Sequence, residues 1–247
     1  MFEIVPNHKL RSLVWLFDLD NTLHDASHAI FPAISANMNT YIARVLHDGV
    51  NEVTQERIDA ARLGYWKRYG ATLLGMMRHH GVSAPHFLRE THDLHDLRAM
   101  MRSEAGLGSL LRRLPGRKIL LTNAPLAYST DVMRHLGLSR HFARHIAIEQ
   151  MQVHRQLRPK PSKLMLARLL RRHGVAARDC VLVEDTLANL KSARQLGLNT
   201  VWVTQYLRRG ERSTLAMARP RRLIRPNYVD VKVKSVRQLP RQLNKLR

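Results

Sequence analysis

Leu13-Val14-Trp15-Leu16-Phe17-Asp18-Leu19-Asp20-Asn21-Thr22 runs an apolar stretch straight into two carboxylates and a hydroxyl. A short apolar run bounded by polar residues reads as a strand buried on both faces. Asp18 and Asp20 share a face if that strand continues. If the backbone turns there instead, one carboxylate and one carbonyl can reach a common cation. The carboxyl ends of parallel strands are where α/β sheets bind ligands. Taken alone, the acid pair fits a solvated turn equally well.

The same pattern recurs downstream. Further apolar runs at Lys118–Thr122, His145–Ile148, Val181–Val183 and Thr200–Val203 predict strands. Helical periodicity separates the later runs, at about Leu126–Leu136, Pro161–His173 and Thr186–Leu196. This alternation predicts an α/β fold, a Rossmann-like parallel sheet flanked by helices. Gly137 and Gly197 predict left-handed helix ends, and Ser162 and Thr186 predict helix starts. Between Phe17 and Lys118 no segment reads as a buried strand. Helical patterns over Ala33–Leu46, Gln55–Tyr69, Ala71–His80 and Pro85–Thr91 predict an all-helical insertion after the first strand, with Leu107–Leu114 leading back to the sheet. Its expected bounds are 25–105, leaving a core of 1–24 and 106–247. Beyond Val203 the pattern degrades. Leu207–Pro226 reads as an Arg-rich loop or short helix, Tyr228–Val233 as one more strand and Val236–Leu246 as a last helix.

Composition narrows the class. The 247 residues carry a formal charge of +22. Thirteen Lys and Arg against two acids put +11 in the basic C-terminal region, 205–247. Such charge attracts nucleotides, RNA, DNA or acidic lipid, but it also describes a solvated basic surface, since charge sets association and not chemistry. No apolar run approaches the ~20 residues of a membrane span. The first run is too short for a signal peptide and meets acids at once. Cys180 is the sole cysteine, so no internal disulfide can form, which fits a cytoplasmic location. Oligomeric state is not legible.

Three more strand ends bear on chemistry. Thr122-Asn123 offers a hydroxyl and an amide suited to phosphate oxygens, although Thr-Asn also ends ordinary strands. Lys160 stands between Pro159 and Pro161, which stiffen the turn and limit where its ammonium can point; a solvated loop lysine is the plain alternative. Glu184-Asp185 ends a strand in two acids, as hard oxygen ligands for Mg²⁺ or as a helix cap. Acid pair, threonine, lysine and acid pair follow one another at successive strand ends, an order that chance explains poorly.

That order resembles the haloacid dehalogenase superfamily, whose four motifs match Asp18/Asp20/Thr22, Thr122, Lys160 and Glu184/Asp185. The resemblance covers about Leu13 to Val203, and the second acid, Asp20, is the mark of its phosphatase branch. The insertion stands where that family carries a helical cap. Phe17–Asp25, the segment Tyr69-Gly70-Ala71-Thr72-Leu73, and Glu184–Asn189 are similar to the pyrimidine 5′-nucleotidase group.

The resemblance implies a Mg²⁺-dependent phosphomonoester hydrolase acting through an aspartyl phosphate. Asp18 would be the nucleophile, and Asp20 the general acid and base with its carbonyl on Mg²⁺. Asp18 and Asp185 would give metal carboxylates, with Glu184 direct or through water. Lys160 would offset charge, Thr122 and Asn123 would hold phosphoryl oxygens, and Thr22 would orient the loop. UMP or CMP is the implied substrate, with phosphoglycolate-like or sugar phosphates as alternatives. His24, Tyr65, Trp66, Arg68 and Tyr69 are candidates for touching the leaving group. For Tyr65, Trp66 and Tyr69, helical spacing alone also predicts an inner helix face, and His79, His80, His92 and His95 show no metal-ligand pattern. A phosphomutase, which transfers rather than releases phosphate, and a nucleic-acid-binding protein using the basic C-terminal region are the other readings.

Overall fold

A computed structural model describes residues 13–49, 52–207 and 224–246. These fall into two compact units, residues 13–25, 102–207 and 224–246 in the first and 26–101 in the second. In chain order, β1 (Val14–Phe17) is followed by α1 (Ile30–Leu46), α2 (Gln55–Tyr69), α3 (Thr72–His80), α4 (Ala84–Thr91) and α5 (Leu97–Met100). The chain returns through α6 (Leu107–Arg113) to β2 (Arg117–Leu121), α7 (Leu126–His135) and β3 (Arg144–Ile146). Then come β4 (Gln152–Val153), β5 (Gln156–Leu157), α8 (Lys163–Arg172), β6 (Cys180–Glu184), α9 (Leu187–Gln195), β7 (Asn199–Val203) and β8 (Val231–Val233).

Six strands form one sheet in the order β3-β2-β1-β6-β7-β8, every neighbouring pair parallel. Every residue of β1, β6 and β7 is buried, as a sheet covered on both faces demands. Strand alternation divides them. Val14, Leu16, Ile119, Leu121 and Leu182 pack in one cluster with Leu166, Leu169 and Leu170 of α8 and Leu190 of α9. Trp15 and Phe17 take the opposite face, where the Trp15 indole donates to the Pro115 carbonyl at 2.7 Å. Fully burying each such side chain contributes about 1.5–3 kcal/mol, so this sheet is a stiff platform for whatever its rim carries.

Among its described residues the second unit contains helices joined by turns and no strand. Thr54 caps α2 through the Arg57 N–H, and Gly70 closes that helix at φ 81°. Helices α2 and α3 approach closely because position 75 lacks a side chain: a Cβ there would lie 2.2 Å from Tyr65 Cγ.

Some expectations are corrected. Ile148 does not extend β3; it opens a 3-10 turn, Ile148–Gln150. Of Tyr228–Val233 only Val231–Val233 pairs, and the last helix is 3-10 over Val236–Lys245, with Pro240 inside, where proline cannot supply an α-helical donor. Thr186 caps α9 by position, but its hydroxyl turns to Asp185 Oδ1 at 3.0 Å. The antiparallel pair β4–β5 and the one-turn α5 went unforeseen. Much of the Arg-rich stretch, 208–223, lies outside the described residues. Among the described residues no helix is long and apolar enough to cross a membrane.

Candidate active site

The first strand, β1, lies between β2 and β6, so the chain first builds the sheet to one side of it, through β2 and β3, and then crosses to the other, to β6. Such a reversal in strand order is where open α/β sheets bind ligands, outside the carboxyl ends of the strands. Asp18, Thr122 and Glu184-Asp185 stand at the ends of β1, β2 and β6. The Asp18 N–H donates to the Val183 carbonyl at 3.0 Å, which locks the first acid beside the third strand end.

Lys160 joins them from a loop. Its ammonium donates to Asp18 Oδ1 and to Glu184 Oε2, both at 2.7 Å, with all three side chains buried. The loop is clamped rather than free. The Asn123 amide donates to the Lys160 carbonyl and accepts from the Lys160 N–H, each at 2.9 Å. Asn123, expected on a phosphate, thus engages the lysine's backbone with both ends of its amide. Thr122 Oγ accepts from the Ala124 N–H at 3.0 Å, which leaves its own proton to donate.

Thr22 Oγ donates to Asp18 Oδ2 at 3.0 Å, so both oxygens of Asp18 are held. Asp18, Glu184 and Asp185 each offer a carboxylate oxygen, and these lie within 4.8 Å of one another. One lysine cannot balance three acids. Burial first, then the Glu184 charge, push the Asp18 carboxyl up to about 7, against the opposing pull of Lys160. Burial, then Glu184 and Asp18, also raise Asp185. Burial works against the Lys160 charge, but its two acid partners prevail and hold it above the ordinary lysine range. An all-oxygen cluster with surplus negative charge suits a small hard cation such as Mg²⁺.

Several neighbours escaped the sequence reading. Tyr128 Oη donates to Asp20 Oδ1 at 2.6 Å, and Trp202 Nε1 donates to the Asp185 carbonyl at 2.9 Å. Neither carries a sequence signal, because each meets its partner only through the fold. His24, expected to touch a leaving group, is instead fully buried with Nε2 2.8 Å from Asp20 Oδ1. Within the second unit, Tyr65 pairs with His80 at 2.7 Å and Tyr69 with His79 at 2.6 Å, the Tyr65 and His79 rings stacked. Tyr65 and Tyr69 thus join a ring cluster with His79 and His80, while the buried residues of α2 are Ile58 and Arg62 rather than the aromatics.

Fold and rim together define an α/β protein whose parallel sheet carries buried carboxylates and one lysine at its carboxyl edge. The profile of haloacid dehalogenase-like hydrolases matches residues 14–197, and the chain belongs to that family. Among solved structures it is similar to a HAD phosphatase from Thermococcus onnurineus, at 16% identity over 94% of this chain and 98% of that one, with a TM-score of 0.60. A β-phosphoglucomutase candidate from Thermotoga maritima matches at 18% identity, 94% and 99% coverage and TM-score 0.54. A HAD-hydrolase from Bacillus subtilis, bound to magnesium, matches at 18% identity, 95% and 99% coverage and TM-score 0.54. At these identities the three share the fold.

Proposed function

We propose that the chain is a Mg²⁺-dependent phosphomonoester hydrolase that forms an aspartyl phosphate on Asp18. The observation carrying this reading is the buried Asp18–Lys160–Glu184 network with the Asp185 carboxylate alongside. Family membership supports hydrolysis. The Thermococcus phosphatase and the magnesium-bound Bacillus hydrolase lend the phosphate and the metal as expectations.

Lys160 and Thr22 hold the two oxygens of Asp18 and so fix the direction of attack. Bound by Asp18, Asp185, Glu184 and the Asp20 carbonyl, Mg²⁺ would supply positive charge against the phosphoryl oxygens. An Asp18 oxygen bonds to phosphorus as the ester P–O bond breaks, and Asp20 gives its proton to the departing oxygen. Asp20 then takes a proton from water as that water attacks phosphorus. The Asp18–phosphorus bond breaks, inorganic phosphate leaves and the carboxylate is restored. Thr122 and Lys160 donate to the phosphoryl oxygens throughout.

The substrate we assign is a pyrimidine nucleoside 5′-monophosphate, UMP or CMP, on the likeness at Phe17–Asp25, Tyr69–Leu73 and Glu184–Asn189. Residues 25–105 would act as the cap that selects the leaving group. Phosphoglycolate-like and sugar phosphates are the alternative class. The test is phosphate release from a panel of monoesters with Mg²⁺ or with EDTA. UMP and CMP should lead the panel, EDTA should stop turnover, and Asp18→Asn should lower it by about 10³-fold or more. Full activity in that variant overturns the mechanism, whereas a flat panel overturns only the pyrimidine assignment.

A further inference from the structure

Asp20 is gripped on one oxygen by two residues from different parts of the first unit. Tyr128 Oη donates to Oδ1 at 2.6 Å, and His24 Nε2 lies 2.8 Å from the same atom. His24 reaches it because the chain doubles back after β1. The N–H groups of Thr22 and Leu23 both donate to the Leu19 carbonyl, and Asn21 adopts φ 59°. Tyr128 arrives from α7, beyond the end of β2, 108 positions along the chain. His24 is fully buried and Tyr128 nearly so.

Packing alone does not account for this arrangement. His24 Nδ1 has no hydrogen-bond partner, so the one polar contact of that ring is Asp20. A buried ring with an unpaired nitrogen costs more than an apolar side chain of similar size. The phenol of Tyr128 is likewise pushed well above its ordinary range by burial and by the neighbouring Asp20 charge. Two desolvated groups converging on one carboxylate oxygen restrain that carboxylate; a core needs neither.

We infer that Tyr128 and His24 are positioning residues that fix the Asp20 carboxyl plane, so that Oδ2 exchanges the proton with the leaving oxygen. The inference rests on the reading of Asp20 as the acid–base group. With Oδ1 held twice, rotation about the Cβ–Cγ bond breaks two hydrogen bonds at once. A general acid acts only within hydrogen-bond reach and in line with the leaving oxygen, so a freely rotating carboxyl is misaligned most of the time.

Leaving-group chemistry separates this role from a structural one. An alkyl phosphate needs a proton on its departing oxygen; 2,4-dinitrophenyl phosphate does not. Rapid mixing measures release of the leaving group in the first turnover, before water attacks the phosphoenzyme. Tyr128→Phe removes one oxygen and keeps the ring, and His24→Gln is the second variant, each checked by thermal melting. We expect first-turnover release from the alkyl ester to fall about tenfold in each variant. Release from the dinitrophenyl ester should change by less than about twofold. Equal losses on both esters, or no loss on the alkyl ester, overturn the proposal. Asp20→Asn runs beside them. If it too is indifferent to the leaving group, the acid role of Asp20 fails and the proposal falls with it. If Asp20→Asn discriminates and Tyr128→Phe does not, only the proposal falls.

Discussion

The surroundings of Asp18 oppose its negative charge. Burial and the Glu184 charge raise its carboxyl from 3.8 to about 7, so folding without a cation favours the protonated form. The sign of the pH dependence follows. The unfolded acid ionises near 3.8 and the folded one near 7, so the contribution of Asp18 to the stability of the metal-free protein falls as pH rises across that interval. A divalent cation competes with the proton for the same oxygens. Mg²⁺ should therefore raise the melting temperature more at about pH 8 than at about pH 5. Melting in EDTA and in excess MgCl₂ at both pH values checks this. Asp185→Asn should shrink the Mg²⁺ shift by removing a ligand. A shift of equal size at both pH values would sink the link between cation and carboxylate.

At the scale of elements, the site depends on β1 and β2 meeting in the right register, and Gly116 sets it. A Cβ at that position would lie 2.2 Å from the Leu13 carbonyl oxygen, which accepts the Arg117 N–H at 2.9 Å. Its φ of 82° is a left-handed conformation as well. Gly116→Ala should cost about 3 kcal/mol, combining backbone strain with a clash against an oxygen that cannot move without breaking the ladder. Urea unfolding measures it, and a midpoint equal to wild type would refute the account. The same scale explains what the sequence could tell. Strand ends are local: Asp18, Thr122 and Glu184-Asp185 follow apolar runs, and Lys160 is framed by prolines, so all are visible in a few residues. Tyr128 is not, because nothing near it marks its meeting with Asp20. The contact of His24 with Asp20 was hidden for a related reason: its direction is set by a turn that only the backbone reveals. The β4–β5 ribbon hid because His154 and Arg155 take φ of 50° and 61°, where glycine or asparagine usually signals a turn.

The whole molecule sets a field that its own active site opposes. The chain carries +22, yet the rim of the sheet gathers three carboxylates around one lysine. On the proposed function, a chain of this net charge would attract a phosphate monoester, and a bound cation would offset the surplus acid of the site. Electrostatic attraction of this kind speeds encounter and leaves the bound complex unchanged. It also reaches only about a Debye length, ~30 Å at 0.01 M salt and ~10 Å at 0.1 M. For a doubly charged substrate at saturating Mg²⁺, kcat/KM should therefore fall about three- to tenfold as KCl raises ionic strength from ~0.02 M to ~0.3 M. The value of kcat should stay constant, because the chemistry proceeds among buried groups that salt screens little. Initial rates across the salt series give both quantities. Chloride suits the test, since sulfate and phosphate would compete for the site itself. A kcat/KM that does not respond to salt would mean that the basic excess plays no part in substrate capture, and would turn attention to a polyanionic partner as the reason for that charge.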